Sequence, residues 1–204
     1  LPKNKVVGMA GILDSSRFIY FLSQELKVPV NKIKSVVLGG HGDSMVAMLG
    51  ATIVEGKKIN DLVNEGKISK EKLDQIVERT KKGGAEIVKF LEKGSAFYAP
   101  AASGVEMAEC YLKDLKKQLP CAGHLNGEYG TKDIYAGVPV IIGSKGVEKV
   151  IELDLSTEEK NNFDNSIKAV KELFDAAKKI DPELNKWDFI KWENFFINLA
   201  LFFY

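Results

Sequence analysis

The chain has 204 residues, 45% of them hydrophobic and 28% charged, and its formal net charge is +1. This composition is that of a globular protein and excludes a disordered chain or a multi-span membrane protein, while the near-neutral charge gives no reason to expect nucleic acid or a membrane as partner. The two cysteines, Cys110 and Cys121, are too few for a disulfide framework and too far apart for a zinc knuckle, which indicates a reducing, cytoplasmic compartment.

Apolar patterns in the first third of the chain predict one helix and three strands. The helix spans 15–27 by the spacing of its apolar residues, with Asp14 or Ser15 as its N-cap and Pro29 after its end. The strands are predicted at residues 6–7, 36–38 and 45–54.

Helices predominate between residues 73 and 117. Apolar residues at helical spacing predict one helix from Leu73 to Leu91, interrupted by Gly83-Gly84, and an alanine-rich second helix from Ala99 to Lys117. Pro120 would end the second helix, because proline breaks a helix interior.

A strand-like pattern then runs to Leu153, and Ser156 with Glu159 predicts a capping box at the start of a last helix. The predicted buried face of that helix consists of Phe163, Ile167, Val170, Leu173, Phe174 and Ala177. We expect residues 1–180 to form one α+β unit with long helices packed on mostly antiparallel strands. Residues 181–204 form an atypical, aromatic-rich tail whose last ten residues are too few to cross a bilayer.

Of the two histidines, His41 has the setting that suits catalysis. It lies in LGGHGDS, directly after a predicted strand, where glycines let backbone and ligand approach the imidazole. A histidine there could transfer a proton near neutral pH, or it could only satisfy local backbone groups, and the pattern leaves both interpretations open. His124, on an apolar strand, is interpreted as structural or adjacent to a pocket.

Arginine is rare in this chain: Arg17 and Arg79 are the only two. Asp14 and Arg17 are three residues apart and share one face of a helix. Arg17 could bind a substrate carboxylate through two parallel hydrogen bonds, or it could be the exposed ion-pair partner of an N-cap aspartate. Arg79 lies among charged helical residues and is interpreted as surface charge.

Several sequence motifs that mark nucleotide, metal or nucleophile sites do not occur in the 204 residues. There is no G-x-G-x-x-G, G-x-x-x-x-G-K-[ST], H-E-x-x-H, C-x-x-C or G-x-S-x-G. The sequence therefore predicts no metal site and no recognisable dinucleotide site within this chain.

Five motifs in a fixed order carry a family resemblance: GILDSSRF, VLGGHGDSMV, GGAEIV, GSAFYAPAAS and the stretch from LPCAG through GEYG to GVPVIIG. Over about residues 1–180 this set resembles the C-terminal, substrate-binding half of L-malate dehydrogenase, of the type similar to lactate dehydrogenase. The first two motifs are typical of the whole lactate/malate dehydrogenase superfamily, and the last two resemble its malate branch. Where the family usually has a Pro and an Arg after GGHGDxMV, this chain has Ala47 and Gly50.

The resemblance implies an oxidoreductase domain for the reversible, NAD-dependent oxidation of (S)-malate to oxaloacetate in a homodimer or homotetramer. His41 matches the family's catalytic histidine, Asp14 the carboxylate that orients it, and Arg17 the arginine that binds the reacting-end carboxylate of the substrate. The segment Gly94–Ser103, with Pro100, resembles the wall of the pocket near the nicotinamide.

The family's nucleotide-binding half would precede Leu1 and is not part of this sequence, so we expect the chain alone to be inactive. Two alternatives stay open at this point. The chain could be the corresponding domain of an L-lactate dehydrogenase, or a non-catalytic, truncated interaction module whose tail at 187–204 docks a partner.

Overall fold

The structure is a computed structural model and describes residues 1–186. Over this range one long helix is followed by five short strands, then by four helices, and finally by three longer strands and a long helix. The α-helices are α1 (Ala10–Leu26), α2 (Ile59–Asn64), α3 (Lys70–Lys81), α4 (Gly83–Leu91), α5 (Tyr98–Leu112) and α6 (Thr157–Ile180). The strands are β1 (Ile33–Lys34), β2 (Val37–Gly39), β3 (Met45–Ala47), β4 (Ile53–Val54), β5 (Lys57–Lys58), β6 (Lys117–Asn126), β7 (Lys132–Gly143) and β8 (Gly146–Val150).

The strands form two antiparallel sheets. The larger has the order β3-β2-β7-β6, with β8 also paired to β7, and the smaller has the order β1-β4-β5. The hairpin of β6 and β7 is the longest strand pair of the larger sheet, with paired residues from Lys117↔Ile142 to Asn126↔Lys132. Long helices on antiparallel strands confirm the predicted α+β class.

Helix α1 connects two apolar clusters. Ile12, near its start, belongs to a cluster between the larger sheet and helices α5 and α6, whose centre includes Phe163. Phe18 and Leu22, further along α1, belong to a second cluster with α3 and the smaller sheet. Because one helix contributes to both clusters, its middle turns, which carry Asp14 and Arg17, are held rigidly between them.

Both cysteines lie in the first of these clusters. Cys110 and Cys121 are free thiols and are buried. Burial raises the pKa of Cys121 to about 12, so this thiol stays protonated and inert in the folded protein.

The start of α1 differs from the prediction. The helix begins at Ala10 with Met9 as its N-cap, so Asp14 and Ser15 lie inside it and the N-cap prediction was wrong. The buried residues Gly11, Ile12 and Leu13 extend the packed face by one turn. Gly11 allows this packing, because an added Cβ would lie 2.5 Å from the carbonyl oxygen of Pro120 in β6.

Helix α5 and the larger sheet also differ from the prediction. Helix α5 ends at Leu112 rather than Lys117, and Pro120 is not its terminator but lies within β6, opposite Pro139. The strand predicted at 45–54 is two strands, β3 and β4, with a turn between them, and residues 6–7 lie outside the strands. In these cases tertiary pairing overrides local propensity.

Helix α6 confirms the capping box: the Ser156 hydroxyl accepts from the Glu159 N–H, and the Glu159 side chain accepts from the Ser156 N–H. Phe163 and Ile167 are buried as predicted, whereas Leu173 is 61% exposed. Within residues 1–186, none of the helices is both long and apolar enough to cross a membrane. The aromatic segment 187–204, for which a docking role was considered, lies outside the described residues.

Candidate active site

His41 and Asp14 form a hydrogen bond that joins the loop after β2 to helix α1. His41 Nδ1 lies 2.7 Å from Asp14 Oδ2. The Asp14 side chain is only 1% exposed, whereas that of His41 is 52% exposed. Because a carboxylate accepts, this contact assigns the proton of the neutral imidazole to Nδ1 and leaves a lone pair on Nε2. The arrangement is that of an oriented general base with an accessible reacting nitrogen.

The backbone turns sharply just before His41. Gly39, the last residue of β2, has φ +85° and pairs with Gly137 on β7. A residue with a side chain would be strained at this φ, so glycine allows the chain to leave the sheet here. A 3-10 turn at Gly42–Ser44 follows His41 and leads into β3. His41 is therefore presented at a tight bend between two paired strands.

Arg17 lies one turn after Asp14 on α1, and its side chain is only 11% exposed. Its Nη1 is 3.6 Å from Asp14 Oδ1, beyond hydrogen-bond distance, and within residues 1–186 neither Arg17 Nε nor Asp14 Oδ1 has a hydrogen-bond partner. Burial lowers the pKa of Arg17, and the charge of Asp14 opposes that effect. A buried guanidinium with an unsatisfied donor is costly unless it binds an anion, which makes Arg17 a candidate carboxylate anchor.

Gly83 and Gly84, at the start of α4, lie against the side chain of Arg17. A Cβ added to Gly83 would be 3.0 Å from Arg17 Cδ, and one added to Gly84 would be 3.8 Å from Arg17 Nη1. The predicted interruption of the helix is confirmed, since α3 ends at Lys81 and α4 begins at Gly83, but the closeness of these glycines to Arg17 was not predicted. Paired glycines at the first turn of a helix, where their propensity is poor, were the available signal of a close approach.

Comparison with known proteins decides the family. A family model described as lactate/malate dehydrogenase, alpha/beta C-terminal domain, matches residues 12–180. The chain belongs to the lactate/malate dehydrogenase family. A protein named malate dehydrogenase from Pelagibacter ubique (strain HTCC1062) is 67% identical over 186 residues, which are 91% of this chain and 58% of that protein. The chain thus spans little more than half the length of this relative.

Solved structures of the family have the same fold. The crystal structure of Cryptosporidium parvum malate dehydrogenase superposes with a TM-score of 0.84 at 43% identity and covers 87% of this chain and 57% of that one. The lactate dehydrogenase of Eimeria maxima, crystallised with NADH and oxamate, gives 0.85 at 42% identity, with 89% and 57% covered. These matches confirm the predicted resemblance and fold, and both branches of the family fit equally well.

The segment Gly94–Ser103 leads into α5 and forms its first turns. Most of it is exposed, Pro100 lies in the first turn of the helix as expected, and Ser103 is buried and donates to the Ala99 carbonyl. Among the hydrogen bonds of residues 1–186, none joins this segment to Asp14, Arg17 or His41. The structure brings those three residues together without a direct polar contact to the segment.

The remaining candidates lie away from this cluster. Arg79 is exposed, as predicted, and makes two hydrogen bonds to Glu86. His124 is buried on β6 with an edge-on contact to Tyr135, and burial lowers its pKa, which fits a structural histidine. Over the described range, no three His, Cys, Asp or Glu side chains are grouped so that they could hold a metal.

Gly50, one of the two residues that depart from the expected family pattern after His41, contacts helix α6. Its N–H donates to Glu159 Oε1 at 2.9 Å, and an added Cβ would lie 3.1 Å from the same oxygen. Ala47 ends β3. These two residues therefore lie at the end of β3 and in the turn that follows it, not in the cluster of His41, Asp14 and Arg17.

Proposed function

We propose that this chain is the substrate-binding and catalytic domain, residues 1–180, of an NAD-dependent malate dehydrogenase. The observation that carries the proposal is the cluster in which buried Asp14 lies between the Nδ1 of His41, at 2.7 Å, and the guanidinium of Arg17, at 3.6 Å. An oriented imidazole beside a buried cation is suited to a substrate with a hydroxyl group next to a carboxylate.

His41 transfers the proton in this proposal. Oxidation of (S)-malate breaks the O–H bond of the hydroxyl group and the C–H bond of the carbon that bears it and forms the carbonyl of oxaloacetate, and His41 Nε2 accepts the hydroxyl proton. NAD, when bound, would supply the acceptor for the hydride from that carbon. Asp14 stabilises the imidazolium through its bond to Nδ1, and in the reverse direction the imidazolium returns the proton to the carbonyl oxygen.

Arg17 binds the carboxylate next to the reacting carbon. Two parallel N–H donors of the guanidinium match the two oxygens of a carboxylate, and partial burial strengthens that bond by excluding water. Because Arg17 and Asp14 lie on consecutive turns of α1, the anchor and the orienting carboxylate keep a fixed separation. The substrate is thereby held with its hydroxyl near His41.

The nucleotide of NAD would be bound mainly by a part of the protein outside these 204 residues. The absence of a glycine-rich fingerprint and the 58% coverage of the malate dehydrogenase relative support this proposal. Within this chain, the half-exposed imidazole of His41 leaves room for a cofactor beside it, and the exposed segment Gly94–Ser103, including Pro100, is proposed to line the nicotinamide side. We therefore expect the chain alone to be inactive.

The compartment and assembly are also proposals. The free, buried Cys110 and Cys121 support a reducing, cytoplasmic setting. Large apolar side chains are exposed on α4 and α5, such as Phe90, Tyr98 and Leu112, which supports a contact with further protein in a homodimer or homotetramer.

The decisive experiment is a chimera in which residues 1–180 of this chain replace the matching segment of the Pelagibacter malate dehydrogenase. We expect NADH oxidation with oxaloacetate and at most weak activity with pyruvate. His41→Asn should abolish turnover while NADH binding, followed by fluorescence, is unchanged, because asparagine cannot accept the proton.

Two results would overturn the proposal. An inactive chimera that folds and binds NADH would exclude this chain as a catalytic domain, and near-normal turnover of the His41→Asn variant would exclude His41 as the base. Preference for pyruvate would instead assign the chain to the lactate branch, which the equal structural match to the Eimeria lactate dehydrogenase makes the second candidate.

A further inference from the structure

Ser166, in the middle of α6, makes two hydrogen bonds to the loop that carries His41. Its hydroxyl accepts from the Gly40 N–H at 2.8 Å and donates to the Ser44 carbonyl oxygen at 2.5 Å. The side chain is buried, and the whole residue is 4% exposed. Because a hydroxyl has one proton and can also accept, a single Ser166 connects the residue before His41 to the end of the turn after it.

The glycines of the loop leave the space that this hydroxyl occupies. A Cβ added to Gly39 would lie 2.1 Å from Ser166 Oγ, so only glycine permits the approach of α6 at this point. An added Cβ at Gly40 would lie 2.1 Å from Ser44 Oγ and 3.3 Å from Val170 Cγ2, one turn further along α6. The two glycines before His41 therefore serve the contact with α6 as well as giving space beside the imidazole.

The imidazole depends on its backbone for its position. Its side chain is half exposed, so packing does not fix it, and Asp14 holds it through one hydrogen bond to Nδ1. A shift of the loop would lengthen that bond, because Asp14 is fixed in α1 between the two apolar clusters. The proton would then no longer be confined to Nδ1, and Nε2 would lose its alignment with the substrate.

We propose that Ser166 is a positioning residue for His41: its hydroxyl holds the loop from Gly40 to Ser44 so that Asp14 selects the tautomer with a free Nε2. This inference rests on the proposed function for its catalytic consequence. Ser166 touches no reacting atom and acts through the main chain on either side of the catalytic imidazole.

The first test is made on the 204-residue chain by nitrogen-15 NMR of the imidazoles. The chain has two histidines, so the His41→Asn variant assigns the signals. In the parent chain we expect the neutral imidazole of His41 to carry its proton on Nδ1. In Ser166→Ala we expect a mixture of both tautomers, because the loop is released.

The second test is kinetic and uses the active chimera. We expect Ser166→Ala to lower kcat about 10- to 100-fold, as a small displacement of a reacting group does, with KM for oxaloacetate changed less than about threefold because Arg17 is unaffected. Thr52→Val is the matched control. It removes another buried hydroxyl with two hydrogen bonds, to Ser35 Oγ and the Met48 carbonyl, but away from His41.

The outcomes separate the two proposals. If Ser166→Ala leaves both the tautomer and kcat unchanged, or if Thr52→Val lowers kcat equally, the positioning role is refuted. An inactive parent chimera would contradict the proposed function alone, since the tautomer measurement still tests Ser166. If the alanine variant does not fold, Ser166→Cys, with similar volume and weaker hydrogen bonds, is judged by the same criteria.

Discussion

Gly83 leaves space for the side chain of Arg17: a Cβ added to Gly83 would lie 3.0 Å from Arg17 Cδ and 3.4 Å from its Nε. The first turn of α4 thus forms one wall of the space occupied by the guanidinium, whose Nη1 lies 3.6 Å from Asp14 Oδ1. A largely buried cation with a helix backbone and a carboxylate close to it has little freedom to move. This restriction prepares Arg17 to bind a carboxylate at low entropic cost.

Gly83→Ala should weaken substrate binding in the active chimera. The added methyl group displaces Arg17 by a few tenths of an ångström, so we expect KM for oxaloacetate to rise about tenfold, or roughly 1.4 kcal/mol, with kcat close to the parent value. Gly84→Ala is the matched control, because its Cβ would lie at an ordinary contact distance of 3.8 Å from Arg17. Equal effects of the two substitutions would contradict the proposed contact.

Arg17→Lys keeps the positive charge but loses the planar pair of donors. Hydrogen bonds to charged groups contribute roughly 1.5–3 kcal/mol, so we expect KM for oxaloacetate to rise about 10- to 100-fold. Arg79→Lys is the control, because Arg79 is the other arginine of the chain and is exposed, and it should leave KM unchanged. Steady-state kinetics measure KM for both variants, and a small effect of Arg17→Lys would show that a different residue binds the carboxylate.

The sequence predicted most helices and the main strands, because apolar periodicity reports which face of an element is buried. The motifs also predicted Asp14, His41 and Arg17 as site residues, and the structure brings the three into one cluster. Local sequence patterns were insufficient where tertiary contacts determine the secondary structure. Pro120, for example, lies in a strand because β7 pairs with that segment. Ser166 was missed because a serine on an amphipathic helix shows no pattern until the loop that it binds is in place.

Asp14→Asn should impair both catalysis and stability. The amide no longer stabilises the imidazolium, so we expect kcat of the chimera to fall roughly 10²- to 10⁴-fold. Arg17 also loses its buried counter-charge, and we expect the free energy of unfolding to drop by about 1–3 kcal/mol in urea titrations. If kcat changed less than about tenfold while stability fell, Asp14 would be a structural residue and not the partner of the catalytic imidazole.

Glu159 should make the stability of the described fold depend on acid pH. Burial alone would raise the pKa of Glu159, but hydrogen bonds from Ser156 and Gly50 outweigh it and hold the pKa below its ordinary value of 4.5. The unfolded chain therefore binds more protons in acid, so the stabilisation is complete above that ordinary value and is lost as pH falls through the lowered pKa.

Urea titrations of the chain from about pH 7 to about pH 3 measure this dependence. We expect Glu159→Gln to lose part of the acid-induced decrease in stability, because the glutamine side chain does not titrate. Glu158→Gln, an exposed neighbour in the same first turn of α6, should retain the decrease of the parent chain. If Glu159→Gln and Glu158→Gln behaved alike, the hydrogen bond between Glu159 and the turn at Gly50 would not contribute to the pH dependence of stability.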